Sequence, residues 1–410
     1  MEFACSYYPV FQKDSFWSYW PRNSMNAEKA NISFKPGIYL HIPFCEHKCG
    51  YCDFYSITNR QQQPEFVRAL LIETEKTLQV FSIDQTFDTI YFGGGTPSLL
   101  EIEQLETILE FLRQHFNLAQ DCEITLEMNP GTTEREKLPL FKELGINRLS
   151  IGIQSFNDQE LRFLERIHST RQAIEAFEAA RKAGFDNIGL DLIYALPNQT
   201  LTTWKHSLQK AVALNPEHIS AYNLSYEPNT PFFRRLQKRQ IMPAAEENEL
   251  EFFNFTHQFL TENGYLHYEV SNFTRDEAFV SRHNYKYWLH VPYLGFGPSA
   301  HSYWNGQRWG NKPSLSHYLQ QLNNGQLPQD FSETLDKQTK EFEHIFLRLR
   351  TYEGLDLAAF ENTFGRSFLQ SYRKIVNELI DSGLAQLTGK RFCLTQQGMA
   401  LCDEILQRFV

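Results

Sequence analysis

The amino-acid sequence predicts an α/β chain: a partial (β/α)6, TIM-like barrel followed by a C-terminal helical, winged-helix-like domain. Three observations predict it. From Gly37 onward, short β-rich segments alternate with amphipathic helical stretches. Several of the strands read as continuous apolar runs, as parallel strands covered by helices do. Beyond about residue 230 the alternation breaks, and the chain closes with helices and a small hairpin.

Residues 1–35 read as an irregular N-terminal extension, with Tyr7, Tyr8, Phe11, Phe16, Trp17, Tyr19 and Trp20 scattered without period; Met25 offers an alternative start. The barrel core is expected over 36–270. Its strands are Gly37–Pro43, Asp88–Phe92, Glu123–Met128, Arg148–Gln154, Asn187–Leu196 and His218–Tyr226, and between them lie helical stretches at Pro64–Val80, Ile102–His115, Glu134–Leu144 and Arg171–Ala183. Gly145 and Gly184 stand just past two of these helices, where a left-handed cap belongs. Glu246–Glu262 reads as one long helix and Tyr265–Phe273 as a short strand. Residues 271–330 form a region rich in glycine, proline and aromatics. Over 331–410 helices lead to Leu384–Leu387, a turn at Thr388-Gly389-Lys390, Phe392–Leu394 and a last helix. That module carries 10 bases and 11 acids, so it lacks the positive field that DNA binding requires and reads as a packing or docking domain.

Composition narrows the function. Of 410 residues, 42% are hydrophobic and 21% charged, which excludes global disorder. A net charge of −10 excludes a general nucleic-acid or anionic-membrane binder. Neither a run of about 18 apolar residues nor a basic start leading into an apolar stretch is found, and the chain is expected in the cytoplasm. Aromatics reach 14%, with 34 Phe and 19 Tyr, enough to enclose a flat apolar ligand.

Seven cysteines stand at 5, 45, 49, 52, 122, 393 and 402. An odd count, with three inside eight residues, argues against a disulfide framework and toward metal. The triplet lies in Tyr39-Leu-His41-Ile-Pro-Phe-Cys45-Glu-His-Lys-Cys49-Gly-Tyr51-Cys52-Asp53-Phe54, just after the first strand. Barrel chemistry gathers at that end of the strands. Thiolates select zinc, copper(I) or an iron–sulfur cluster. Zinc would recruit His41 or His47 as a fourth ligand, yet no second CxxC is present to complete the usual structural site.

Other polar groups fall at strand ends. Gly93-Gly94-Gly95-Thr96-Pro97 follows the second strand without the Gly-Lys-Ser/Thr of a phosphate loop. Glu127 ends another strand in Leu-Glu127-Met-Asn-Pro130. Gln154 and Asp191 sit within apolar strands, where a charge is costly unless paired or liganded. Arg166, taken alone, reads as a helix-surface base. Farther on stands Arg282-His283-Asn284-Tyr285-Lys286-Tyr287-Trp288, in which an imidazole can ligate heme iron and flanking aromatics can cover a macrocycle; His290 and His301 lie nearby.

The CxxxCxxC spacing resembles that of the radical SAM superfamily. The longer phrase around it resembles the oxygen-independent coproporphyrinogen III oxidases and their relatives, the HemW-type heme chaperones. The resemblance runs from about Gly37 to the C-terminus. It implies a [4Fe-4S] cluster on Cys45, Cys49 and Cys52. It also implies S-adenosyl-L-methionine at Tyr39, Tyr51, Gly94, Gly95, Thr96, Glu127, Gln154, Arg166 and Asp191, as one or two molecules. His-Asn-x-x-Tyr-Trp resembles the chaperones' hallmark at every fixed position, which implies heme as cargo near His283, Asn284, Tyr287 and Trp288. Acceptor hemoproteins follow as partners, respiratory and membrane-associated ones among them, with no nucleic acid; a homodimer stays open. One position departs from the oxidases: they carry a further cysteine two residues after the triplet, and here it is Phe54. Porphyrinogen decarboxylation is thereby put in doubt, and catalytic residues stay unassigned.

Overall fold

The computed structural model describes residues 34–409. The expected N-terminal extension, with Cys5 and Met25, lies outside the described residues except for Phe34 and Lys35. Six parallel strands, β1 (Gly37–Ile42), β2 (Thr86–Gly94), β3 (Asn117–Met128), β4 (Arg148–Gln154), β5 (Ile188–Tyr194) and β6 (His218–Asn223), lie side by side in chain order. Parallel neighbours need a crossover. Helices supply it: α1 (Gln63–Val80), α2 (Ile102–His115), α3 (Thr132–Glu143), α4 (Asp158–Phe163) with α5 (Thr170–Lys182), and α6 (Leu201–Leu214). Their starts are written locally. Glu101 with Gln104 and Ser169 with Gln172 close reciprocal capping boxes before α2 and α5. Gly145 and Gly184 follow α3 and α5 at φ +88° and +86°, as expected.

The strands alternate rather than run continuously apolar. In β4, Leu149, Ile151 and Ile153 are fully buried on the helical side, and by the two-residue period Arg148, Ser150, Gly152 and Gln154 face the other way. In β5, Ile188, Leu190 and Leu192 alternate with Gly189 and Asp191 in the same manner. Register then places Tyr39 beside Tyr91, Tyr91 beside Thr125, Glu127 beside Ser150 and Asp191 beside Ser220. The main core lies between sheet and helices, where Leu40, Phe92, Leu126 and Leu190 cluster with Phe66, Leu109, Phe177 and Trp204. The inner face is left to polar groups. That is the physical reason charges sit within apolar strands.

After β6 come α7 (Pro231–Gln237) and α8 (Glu246–Glu262). The single strand expected over Tyr265–Phe273 is instead a hairpin, β7 (Leu266–Glu269) and β8 (Asn272–Thr274), with β8 antiparallel to β6. Its turn has its own partners: Val270 N donates to the Arg350 carbonyl (3.0 Å) and the Ser271 carbonyl accepts from Ala221 N (2.8 Å). At the other edge the region over 271–330 builds onto the sheet. It contains α9 (Arg282–Leu289), β9 (Tyr293–Phe296), β10 (His301–Trp304), β11 (Gln307–Asn311), α10 (Leu315–Asn323) and β12 (Gln329–Thr334). β9 pairs parallel with β1, and β10 to β12 continue antiparallel, so the six-stranded barrel portion is the centre of a twelve-stranded open sheet.

From α11 (Lys337–Arg348) onward a second core gathers Ile345, Leu349, Phe360, Phe368, Phe392 and Leu394 beneath a three-stranded sheet. The hairpin Ala385–Thr388/Arg391–Leu394 turns at Gly389, as the winged-helix-like expectation has it.

Glu73 on α1 ties this edge to the barrel. Its carboxylate accepts from Gly297 N (2.8 Å), Asn311 Nδ2 (2.5 Å) and Tyr318 OH (2.6 Å). Burial, opposed by these three donors, lifts its pKa from the ordinary 4.5 to about 7. A carboxyl raised in the folded state contributes stability that is complete below its unfolded value and is lost as pH rises through the folded one. Melting temperature should therefore fall as pH rises from 4.5 past about 7, and Glu73→Gln should flatten part of that slope in scanning calorimetry. An unchanged slope would assign the effect elsewhere.

Candidate functional site

The thiol loop begins where β1 ends. It is closed at its base by Ile57 N donating to the Pro43 carbonyl (2.7 Å) and Cys45 N to the Ile57 carbonyl (2.9 Å), and pinned at its far side by Phe232 N on the Gly50 carbonyl (2.9 Å). Cys45, Cys49 and Cys52 are free thiols, two buried and one half-buried. Burial raises the pKa of Cys45, with Cys49 adding to it. Cys52 is pushed up to about 11, by burial first and then by Cys45 and Cys49. Three thiols gathered on one short loop fit a group that brings positive charge to all of them and takes sulfur ligands. His41, offered above as a fourth zinc ligand, has both ring nitrogens engaged, by Tyr39 OH (3.1 Å) and the Tyr55 carbonyl (2.8 Å). Among the described residues no group of three or more His, Cys, Asp or Glu side chains is arranged to hold a single metal ion.

The glycine run docks against this loop. Gly95 N donates to the Ile42 carbonyl (2.8 Å) and Thr96 N to the Phe44 carbonyl (2.7 Å). A Cβ on Gly95 would stand 2.6 Å from the Phe44 oxygen, so only glycine lets the two backbones pass. Gly94 adopts φ +106°, and its amide is turned to Glu127 Oε2 (3.2 Å). Thr96 Oγ1 lies 3.4 Å from Cys45 Sγ.

The remaining expected residues lie on the inner face of the strands or on the segments at their ends. Tyr39, Tyr51, Glu127, Gln154, Arg166 and Asp191 are all half-exposed, whereas Thr125, Arg148 and His218 are closed off. Glu127 accepts from Tyr91 OH (2.7 Å); burial raises its pKa to about 7 against that bond, and the Asp191 charge adds to the rise. Asp191 accepts from Ser150 Oγ at 3.1 Å and is likewise raised by burial. Gln154 ends β4 in the left-handed region, φ +68°, a conformation that favours glycine.

Arg166 is no helix-surface base. It follows α4 with its guanidinium turned inward, donating to the Gly152 carbonyl (2.8 Å), to Asn129 Oδ1 and, at 3.7 Å, to Cys49 Sγ. Asn129 is not among the residues expected at the site, yet its Nδ2 donates to Thr96 Oγ1 (2.9 Å), so it joins the glycine run to Arg166. Its signal was its place two residues beyond Glu127 on the same strand end.

The structure divides the His-Asn-x-x-Tyr-Trp segment, which forms α9. His283 is fully buried against the inner face of β2, with Nδ1 at Thr89 Oγ1 (2.8 Å) and Nε2 at Tyr287 OH (2.9 Å). Both nitrogens are taken, and the ring does not reach open space. Tyr287 does: with Tyr39, His41, Tyr55, Tyr293 and His301 it lines a cavity of about 290 Å3, whose lip is Asp53 and Phe54. Asn284 and Trp288 are half-buried and do not line it. His290 stacks on Tyr303 (4.3 Å) beside Glu343 (3.4 Å); burial lowers its pKa to about 4, so that contact is not an ion pair at neutral pH.

The radical SAM superfamily matches residues 39–211, and the HemN C-terminal domain matches residues 335–401. The heme chaperone HemW of Bacillus subtilis (strain 168) is 36% identical over 377 residues, 91% of this chain and 98% of that protein. The heme chaperone HemW of Escherichia coli (strain K12) is 38% identical over 266 residues, 64% of this chain and 69% of that protein. Among solved structures, coproporphyrinogen III oxidase (HemN) from Escherichia coli, described as a radical SAM enzyme, superposes with a TM-score of 0.79 at 26% identity, covering 92% of this chain and 90% of that one. The α/β radical SAM fold and the resemblance carried by the cysteine loop are thereby borne out. Identity at this level over nearly the full length of both chains reflects one shared fold, and the chain belongs to the HemW family of heme chaperones within the radical SAM superfamily.

Proposed function

We propose that this protein is a cytoplasmic heme chaperone that carries a [4Fe-4S] cluster and S-adenosyl-L-methionine and passes heme to acceptor hemoproteins, those of respiratory chains among them. One observation carries the reading. A single closed loop, 43–57, supplies both the three thiols and, through Asp53, Phe54 and Tyr55, one wall of the aromatic cavity. Tyr287 of α9 lines the same cavity. Cargo in the cavity therefore shares a loop with the cluster ligands.

Cys45, Cys49 and Cys52 would hold the cluster, and Arg166, donating toward Cys49 Sγ, would offset thiolate charge. The Gly93–Thr96 turn, Glu127, Gln154 and Asp191 would hold S-adenosyl-L-methionine, with Tyr39 and Tyr51 beside it. When bound, the cluster and S-adenosyl-L-methionine supply one-electron chemistry. Tyr39, Tyr55, Tyr287 and Tyr293 would cover the faces of heme, since aromatic rings stack well on flat apolar surfaces. Regions 36–270, 271–330 and 331–410 serve, on this reading, for cofactors, cargo and docking.

Titration of the anaerobically reconstituted protein with hemin, followed by mixing with an apo-hemoprotein, tests the reading; hemin that is neither bound nor transferred would refute it. The same preparation, given reductant and S-adenosyl-L-methionine, should not convert coproporphyrinogen III to protoporphyrinogen IX. Phe54, 66% exposed at the cavity lip, has no thiol to offer where the oxidases place one. Substrate-dependent turnover would reassign the protein as an oxidase.

A further inference from the structure

Heme needs an axial ligand with a free lone pair, within reach of the cavity and on a firm support. Five imidazoles lie near α9 or on the thiol loop. His47, exposed on the loop, does not line the cavity. His41 and His283 have both nitrogens engaged, and His283 is enclosed. His290 is outside the cavity wall, stacked on Tyr303. His301 is exposed and lines the cavity, and its ring nitrogens have no hydrogen-bond partner among the described residues. Of the cavity phenols, Tyr39, Tyr55 and Tyr287 already share hydrogen bonds through their oxygens with His41 Nδ1, Leu315 N and His283 Nε2; the Tyr293 hydroxyl has none among the described residues and is the competitor that the test must exclude.

Resting on the heme-carrying reading, we propose that His301, not His283, is the axial ligand of the bound heme iron. The support for it is rigid. His301 opens β10 opposite Gly310 on β11, and its backbone oxygen packs so tightly on Gly295 that a Cβ there would come within 2.0 Å. The ring lies over Gly310, where a Cβ would stand 3.1 Å from Cε1, and against Phe331 at 5.5 Å. A missing side chain at 310 thus leaves the imidazole its place. His283 has a different role: through Tyr287 OH it fixes the angle of a cavity ring, as a positioning residue.

The test uses the full chain and hemin, read by the Soret band and by electron paramagnetic resonance of the ferric complex. The unaltered protein should show an imidazole-ligated spectrum. His301→Ala should lose it and bind hemin roughly 10–100-fold more weakly, at least the loss that follows removal of a ligand's outer partner. Added imidazole should restore the spectrum. His290→Ala should change neither. His301 is exposed, so His301→Ala should melt with the unaltered protein, and His301→Gln gives a second variant with the same expected loss. Unchanged affinity and spectrum in both His301 variants would overturn the assignment and leave heme carriage standing. So would loss of the spectrum in Tyr293→Phe with its retention in His301→Ala. An unaltered protein that takes up no hemin would overturn both.

Discussion

Replacing any one of Cys45, Cys49 and Cys52 by Ala should leave anaerobically reconstituted protein without a [4Fe-4S] cluster. The three thiols come from one loop fixed at both ends, and two thiolates cannot hold a cubane whose third protein ligand is gone. No other described cysteine can move in. Cys122 is buried on β3. Cys393 Sγ, buried on the closing hairpin, donates to the Glu353 carbonyl (3.2 Å), and Cys402 Sγ, in the C-terminal core, is directed at the Leu349 carbonyl (3.9 Å). Replacing these three with Ala should leave iron and sulfide per chain unchanged. The distinguishing measurement is iron, acid-labile sulfide and zinc in strictly anaerobic preparations. Stoichiometric zinc without sulfide would overturn the cluster and leave the fold untouched.

Lys286→Met should cost about 3–5 kcal/mol of stability, the loss expected when one partner of a buried ion pair is removed. Lys286 is fully buried on α9, with Nζ 2.6 Å from Asp88 Oδ1 on β2, itself nearly buried. Burial lowers the Lys286 pKa, and Asp88 works against that; without the lysine the carboxylate is left uncompensated in the interior. Glu123 accepts from His283 N (3.2 Å) at the start of the same helix, so α9 is anchored to two strands by charge. Urea denaturation measures the loss. The double variant Lys286→Met/Asp88→Leu should recover much of it, because two apolar groups bury at little cost where one lone charge does not. A loss below about 1 kcal/mol in the single variant, the range of exposed pairs, would show that water reaches the pair.

What the sequence by itself determined is what short spacing controls. Cys45, Cys49 and Cys52 are bound to share a loop because seven residues of chain cannot part them far. The alternation of strands and helices, the caps at Gly145 and Gly184, the helix Glu246–Glu262 and the closing hairpin were legible for the same reason: each depends on neighbours within a few turns of chain. Depth was not legible. Taken alone, Arg166 reads as a surface base and His283 as an imidazole able to ligate heme iron, yet the strands around them hold the guanidinium against Gly152 and Asn129 and seal the imidazole between Thr89 and Tyr287. The cavity joins Tyr39, Tyr55, Tyr287 and His301 because β1 pairs with β2 on one side and with β9 on the other, a pairing across some 250 residues of chain. A local pattern records which face of a strand is polar. Only long-range pairing decides what that polar face meets, since burial of a side chain is a property of everything packed around it.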